Sequence, residues 1–302
     1  MKKGIGYVLV SAVLWGTLPA FSRTAYLHGS DPLTAAAWRA YLSAAVFLLW
    51  FLLDGTLKKL RARDIPFYML YGVLGLGGTS LFYMLAVNMI STAMAAMLLY
   101  TAPAFVILFS RLLYKDPITL PKLAALCCTF CGCFLVVRGY DIASLRADSL
   151  GILTGLLSGL CYSMVTIMER AAAKKNDART NAGLMLLFGS VVFLFFRPPW
   201  SLRAPTPLLW GCYMGLAVLG SVGAYLFYLK GIACGLDGGI ASIVATVDPV
   251  VATLCGVLLF RDLFELWQAL GVLIIIVGAA LPVFWRAKTR HAGAQDQAAN
   301  SR

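Results

Sequence analysis

The sharpest chemical signal in this sequence of 302 residues is a carboxylate inside an apolar run. Asp248 lies about eleven residues into the stretch 238–260 and directly precedes Pro249. Placing Asp, Lys or Arg at the centre of a membrane helix is unfavourable by about 2.5–3.5 kcal/mol. An ionised Asp248 would therefore need a cation, a hydrogen-bond cluster or water. It could bind and release a proton in a coupled transport cycle, or it could cap carbonyls freed by the proline and hold a kink. Pro103 stands at the matching place in an earlier run, and each proline lacks an N–H and frees the carbonyl four residues before it, at Leu99 and Ala245. Such carbonyls are costly in hydrocarbon unless a neighbour or cavity water satisfies them, so Asp248, Pro103 and Pro249 are expected at a central cavity as coupling or gating residues. Pro19 has no such counterpart.

Arg39 and Arg23 fall near the ends of their runs, where each could meet a ligand or snorkel to water. Lys230 and Glu169 are expected at the interface. Trp15, Thr17, Arg39, Tyr83, Asn88, Tyr100, Tyr162, Thr166, Tyr225 and Tyr228 are the candidate substrate-binding residues. Aromatic rings with a polar tip can line a ligand cavity, although they also form interfacial belts and ordinary contacts.

Catalysis is not expected. The chain has two histidines, His28 and His291, neither set among acidic partners as acid–base chemistry would want. That argues against a membrane-embedded acyl or glycosyl transferase; a lipid-handling or scaffold protein is the other alternative. The segment "GVLGLGGTS" lacks the Gly-Lys-Ser/Thr ending of a phosphate loop. Cys128 and Cys131 form a C-x-x-C within an apolar run, without the polar surroundings of a metal or redox pair, and read as small packing residues. No cofactor or metal is expected, and the scattered basic residues do not form a nucleic-acid stripe.

The elements that must position these residues follow from composition. The chain is 61% hydrophobic and 13% charged, against roughly 25% charged for an ordinary soluble domain. Apolar runs near 4–27, 33–53, 66–88, 91–112, 120–139, 149–172, 180–196, 206–230, 238–260 and 265–285 predict an all-α membrane protein of ten transmembrane helices. With a cytoplasmic N-terminus, the far side carries only Arg138, Arg146, Arg197, Arg203 and Arg261 of the 25 Lys and Arg, apart from Arg23 and Arg39. The positive-inside rule therefore predicts cytoplasmic N- and C-termini.

The chain also repeats itself. Gly4, Ser11, Trp15 and Arg23 recur 147 residues later as Gly151, Ser158, Tyr162 and Arg170. Pro103, Leu113, Asp116 and Gly132 recur 146 residues later as Pro249, Leu259, Asp262 and Gly278, with Lys115 matched by Arg261. Five spans per copy is an odd number, so the second copy enters the membrane with opposite orientation. Inverted repeats of this kind are a mark of secondary transporters, which place the substrate near the midplane and alternate access by rocking one half against the other.

Several segments carry a resemblance that covers nearly the whole chain. "GYVLVSAVLWGTLPAFSR", with Trp15 and Gly16, and "AAAWRAYLSAAV", with Arg39, open the first half. "AAMLLYTAPAFVILFSRLLYKD" and "ASIVATVDPVVATLCGVLLFRD" bring the mid-helix proline of each half. These segments resemble an EamA-type permease of the drug/metabolite transporter superfamily. Asp116 and Asp262 depart from the Glu usual there, and Tyr162 from the Trp of the first helix. The resemblance implies a first EamA repeat at 4–139, a second at 149–285 and a disordered cytoplasmic tail at 286–302. It further implies a multi-pass bacterial plasma-membrane exporter of small metabolites such as amino acids, with a small-molecule substrate, the lipid bilayer as its surroundings and possible proton coupling.

The topology is checked by labelling Lys59→Cys and Arg203→Cys with an impermeant thiol reagent. The two are expected to react from opposite faces. Reaction from the same face would exclude the inverted arrangement.

Overall fold

The computed structural model describes residues 2–141 and 148–282; the expected tail at 286–302 lies outside the described residues. Among the described residues eight helices are long and apolar enough to cross a membrane: α1 (Lys3–Leu27), α2 (Pro32–Asp54), α3 (Ala62–Met89), α4 (Thr92–Tyr114), α6 (Ser149–Ala172), α7 (Ala178–Phe196), α8 (Pro207–Ala233) and α9 (Gly238–Phe260). Two shorter apolar helices, α5 (Leu120–Val136) and α10 (Leu266–Pro282), complete the set. Large apolar side chains point outward, among them Leu53 (79% exposed), Phe195 (82%) and Leu258 (77%). That is the surface lipid requires and water would penalise.

Helix α5 stops short of the expected 139. Arg138 turns into the left-handed region at φ 58°, and the Gly139 N–H donates to the Phe134 carbonyl at 2.8 Å. This is the closing hydrogen bond of a Schellman-type cap. Helix starts are fixed by side-chain caps at repeat-related places. Asp31 accepts from the Thr34 N–H and Asp177 from the Thr180 N–H. Ser91 and Asp237 do the same for Met94 and Ile240. Each satisfies a donor that the first helical turn leaves unpaired.

Three of the long helices are interrupted. Helix α1 breaks at Thr17, ahead of Pro19. Helix α4 breaks at Tyr100–Thr101 and α9 at Thr246–Val247, each just ahead of its proline. The Thr101 and Thr246 hydroxyls donate to the Leu98 and Ile243 carbonyls at 2.6 Å, which also accept the Thr101 and Thr246 N–H groups at 3.2 Å. Helices α3 and α8 instead widen into π turns, at Val73–Gly78 and Gly215–Gly223.

Packing follows the repeat. Helix α1 lies along α8 as α6 lies along α3; α1 also meets α9 as α6 meets α4; α2 pairs with α7. The largest apolar cluster joins α1, α2, α3, α6, α7, α8 and α9 and includes Phe47, Phe51, Tyr68, Tyr71 and Met185. Glycines at four-residue spacing let α6 approach closely. A Cβ on Gly155 would meet Leu98, and one on Gly159 would lie 2.7 Å from the Leu98 carbonyl oxygen.

Gly159→Ala is therefore expected to lower stability by about 1–3 kcal/mol, because backbone cannot give way. Gly211→Ala, with nothing within 4 Å of its added methyl, is expected to be neutral. Thermal unfolding in detergent compares the two, and equal effects would refute close backbone contact at Gly159.

Candidate functional site

Broken and widened helices meet around one cavity of about 1020 Å³. Its walls come from α1, α2, α3, α4, α8 and α9, with Val136 of α5, Tyr162 of α6 and Gln268 of α10, and its mouth lies at the face carrying Tyr26, Pro32, Thr92, Arg138 and Leu263. That face is the one away from the N-terminus, because Lys3 and Tyr26 stand at opposite ends of α1.

At the base, Trp15 packs edge-on against Tyr162 and Tyr225, with ring centroids 5.8 and 5.2 Å away, and against Tyr228 at 5.2 Å. This is the spacing that aromatic quadrupoles favour. Arg39, about two turns into α2, points inward rather than snorkelling. Its Nε donates to Ser221 Oγ at 2.7 Å and a terminal nitrogen to the Gly220 carbonyl at 3.4 Å. The π turn of α8 supplies both acceptors, since Gly220 and Ser221 lie within it. Both partners are neutral, so the guanidinium keeps its full charge at the cavity wall.

Asp248 is the first residue of the second half of α9, where the partial positive charge of a helix N-terminus favours an anion. Tyr100, at the break in α4, donates its hydroxyl to Asp248 Oδ2 at 3.4 Å. The two helix breaks therefore face each other through these side chains. Asp248 Oδ1 is buried without a hydrogen-bond partner, an acceptor the protein itself leaves unsatisfied. Tyr162 lines the same cavity as Asp248 and Arg39.

The structure brings Trp15, Arg39, Tyr83, Tyr100, Tyr162, Tyr225, Asp248 and Pro249 to the wall. The other expected residues lie elsewhere. Tyr228 stands behind Trp15, sharing a 2.5 Å hydrogen bond with Thr166, and both are buried. The Thr17 hydroxyl turns back to the Leu14 carbonyl at 2.7 Å, Asn88 faces outward, and Pro103 is buried off the wall. Residues that sequence reasoning missed include Ser80 on α3, Thr253 on α9 and Gln268 at the rim. Thr253 had a readable signal, one turn beyond Pro249, and its hydroxyl indeed donates to the Pro249 carbonyl at 2.8 Å. Among the described residues no three His, Cys, Asp or Glu side chains converge on a metal position.

The opposite face is sealed. Glu169, expected at the interface, is fully buried. It accepts from the Tyr71 hydroxyl and from Asn181 Nδ2, both at 3.2 Å. The Tyr68 hydroxyl in turn donates to Asn181 Oδ1 at 2.8 Å. At the start of α9, Lys122 and Asp237 form a separate buried ion pair of 2.9 Å. The cavity is thus open at one face and closed at the other.

Residues 2–138 and 149–284 each match the EamA-like transporter family. Similar proteins include an uncharacterized transporter of Archaeoglobus fulgidus, 28% identical over 95% of this chain and 97% of its own length. The uncharacterized transporter YyaM of Bacillus subtilis is 23% identical over 90% and 91%. The uncharacterized inner membrane transporter YicL of Salmonella typhimurium is 24% identical over 93% and 95%. One crystal structure shares the fold, with a TM-score of 0.81 at 17% identity over 96% of this chain and 99% of that one. The chain belongs to the EamA-like transporter family and is a multi-pass membrane transporter.

Accessibility checks the wall assignment. With the native cysteines replaced, Thr253→Cys is expected to react with a small water-soluble maleimide. Thr166→Cys should react at least about tenfold more slowly, since access governs its rate. Similar rates, read by mass spectrometry, would place Thr166 on the wall after all.

Proposed function

From its place among the EamA-like transporters, we propose that the chain is a secondary exporter of small zwitterionic metabolites such as amino acids, coupled to protons and working by alternating access. Its ten helices, α5 and α10 included, form two inverted five-helix repeats, 4–139 and 149–285, in a bacterial plasma membrane. The N- and C-termini are cytoplasmic, so the mouth opens outward and the Glu169 network closes the cytoplasmic side.

The observation that carries this reading is the pairing of opposite charges on one aromatic cavity. Arg39 offers an unneutralised guanidinium and Asp248 an unpaired carboxylate oxygen, with Tyr162 on the same cavity wall. A carboxylate on Arg39 and an ammonium on Asp248 would satisfy both groups at once, and charge-assisted hydrogen bonds of this kind are the strong ones. Trp15, Tyr225 and Tyr83 supply apolar surface for the rest of the molecule. Release of the substrate ammonium leaves Asp248 a carboxylate that can take up a proton for the return step, so one residue serves substrate and coupling ion in turn.

Flux in proteoliposomes tests this, using radiolabelled neutral amino acids, nucleobases and a quaternary ammonium with and without a pH gradient. Neutral amino acids are expected to move, faster with the gradient. Asp248→Asn, which keeps size but removes the charge, should lower flux at least about tenfold, as loss of a contact of about 1.5–3 kcal/mol implies. It should also abolish the response to the gradient. A variant that transports with unchanged pH dependence would refute the coupling role, and transport of nucleobases alone would refute the zwitterion.

A further inference from the structure

Two ion pairs, one at each face, are built alike. At the mouth, Arg23 at the end of α1 bonds Asp262 just beyond α9 at 2.6 Å, and its guanidinium lies 4.3 Å over the Phe260 ring. At the sealed face, Arg170 at the end of α6 holds Asp116 just beyond α4 through both terminal nitrogens. Its guanidinium lies 4.2 Å over the Tyr114 ring. The aspartates are presented in the same way. Arg261 and Lys115 turn into the left-handed region at φ 55° and 57°, and the Asp262 and Asp116 N–H groups close back onto the Gly256 and Ser110 carbonyls, both at 3.2 Å. Arg, ring, left-handed residue and Asp all correspond under the sequence repeat. Each clasp joins the first helix of one repeat to the fourth helix of the other.

Their surroundings are not alike. Ser22, beside Arg23, lines the open mouth, whereas its repeat counterpart Glu169, beside Arg170, is fully buried in the seal. The Asp262 side chain is 43% exposed and that of Asp116 only 17%. A gate would be broken at the open face and made at the closed one. These clasps are made at both. When inverted repeats alternate, the two halves exchange conformations, so an interaction present at both faces of a one-sided molecule is present in both states.

We propose that Arg23–Asp262 and Arg170–Asp116 are the two fulcra of the transport cycle, staying closed while the halves rock about them and the rest of each face opens or seals. This rests on the alternating-access reading above. The guanidinium is suited to it, because stacking on a ring and gripping a carboxylate leave it able to swivel without letting go.

The test uses the full chain in lipid nanodiscs with native cysteines replaced. One variant carries Arg23→Cys with Asp262→Cys and a second Arg170→Cys with Asp116→Cys, each bridged by a short bis-maleimide. Nitroxides attached to a ketone-bearing amino acid at His28 and Ser91 report the width of the mouth by double electron–electron resonance. Two widths are expected without a bridge, and either bridge should leave both, with their ratio altered by less than about twofold. A bridge that leaves one width overturns the proposal. A single width already present without any bridge overturns the alternating-access reading, and the proposal with it, in a measurement that does not involve the clasps. The two variants lie at opposite faces, so either one that folds decides.

Discussion

Hydrocarbon offers no hydrogen bonds, and much of this molecule follows from how it tolerates backbone that has lost its own. Helices α4 and α9 are broken where prolines interrupt the ladder, and the freed groups cannot face lipid. The threonine hydroxyls at the breaks turn back onto carbonyls of the preceding turn, and each break is turned toward the middle of the bundle. There Tyr100 from one break meets Asp248 from the other. The cavity is therefore a consequence of the breaks: two helices that cannot be continuous at mid-depth must enclose something polar, and what they enclose is the site.

The same constraint separates what was legible in the sequence from what was not. Apolar runs, repeat offsets and the two prolines are local features, and they translate directly into helices, packing pairs and breaks. The orientation of a side chain around its helix depends on local turn geometry. The π turns of α3 and α8 alter which residues face inward, and nothing in periodicity alone shows them. Tyr228 falls behind Trp15 while Tyr225, three residues earlier on the same helical stretch, reaches the wall. Thr17, Asn88 and Thr166 looked equally suited by type, yet Thr17 and Thr166 spend their hydroxyls on nearby partners and Asn88 sits on the outer face. Glu169 was misjudged for a related reason. Its place near a helix end suggested water, but Tyr68 and Tyr71, from a helix distant in sequence, and Asn181, from the next helix, close over it.

The two faces use polar groups in opposite ways. In the cavity, charges on Arg39 and Asp248 are held by neutral or single contacts and remain available. At the sealed face, carboxylates and amines are matched: Lys122 with Asp237, Glu169 with Tyr71 and Asn181. Buried polar networks of this kind favour closure only while every member is satisfied, because a half-satisfied network is worse than an apolar one. A seal made of such groups can be tight in one arrangement and readily hydrated in another, which a purely hydrophobic plug would not permit.

The π turns have a further consequence for how the gene can change. Each accommodates one residue more than a regular turn would, and a residue in an α-helix advances the face by about 100°. Deleting a single residue from Val73–Gly78 or from Gly215–Gly223 would restore an uninterrupted helix of good local geometry. Everything beyond it would then swing by that angle, taking Tyr83 or Tyr225 away from the cavity. In these two segments length is thus inherited as strictly as identity: a Cβ on Gly77, Gly215 or Gly220 would lie within 2.5 Å of Val192, Phe21 or Leu18, and a codon cannot be lost either.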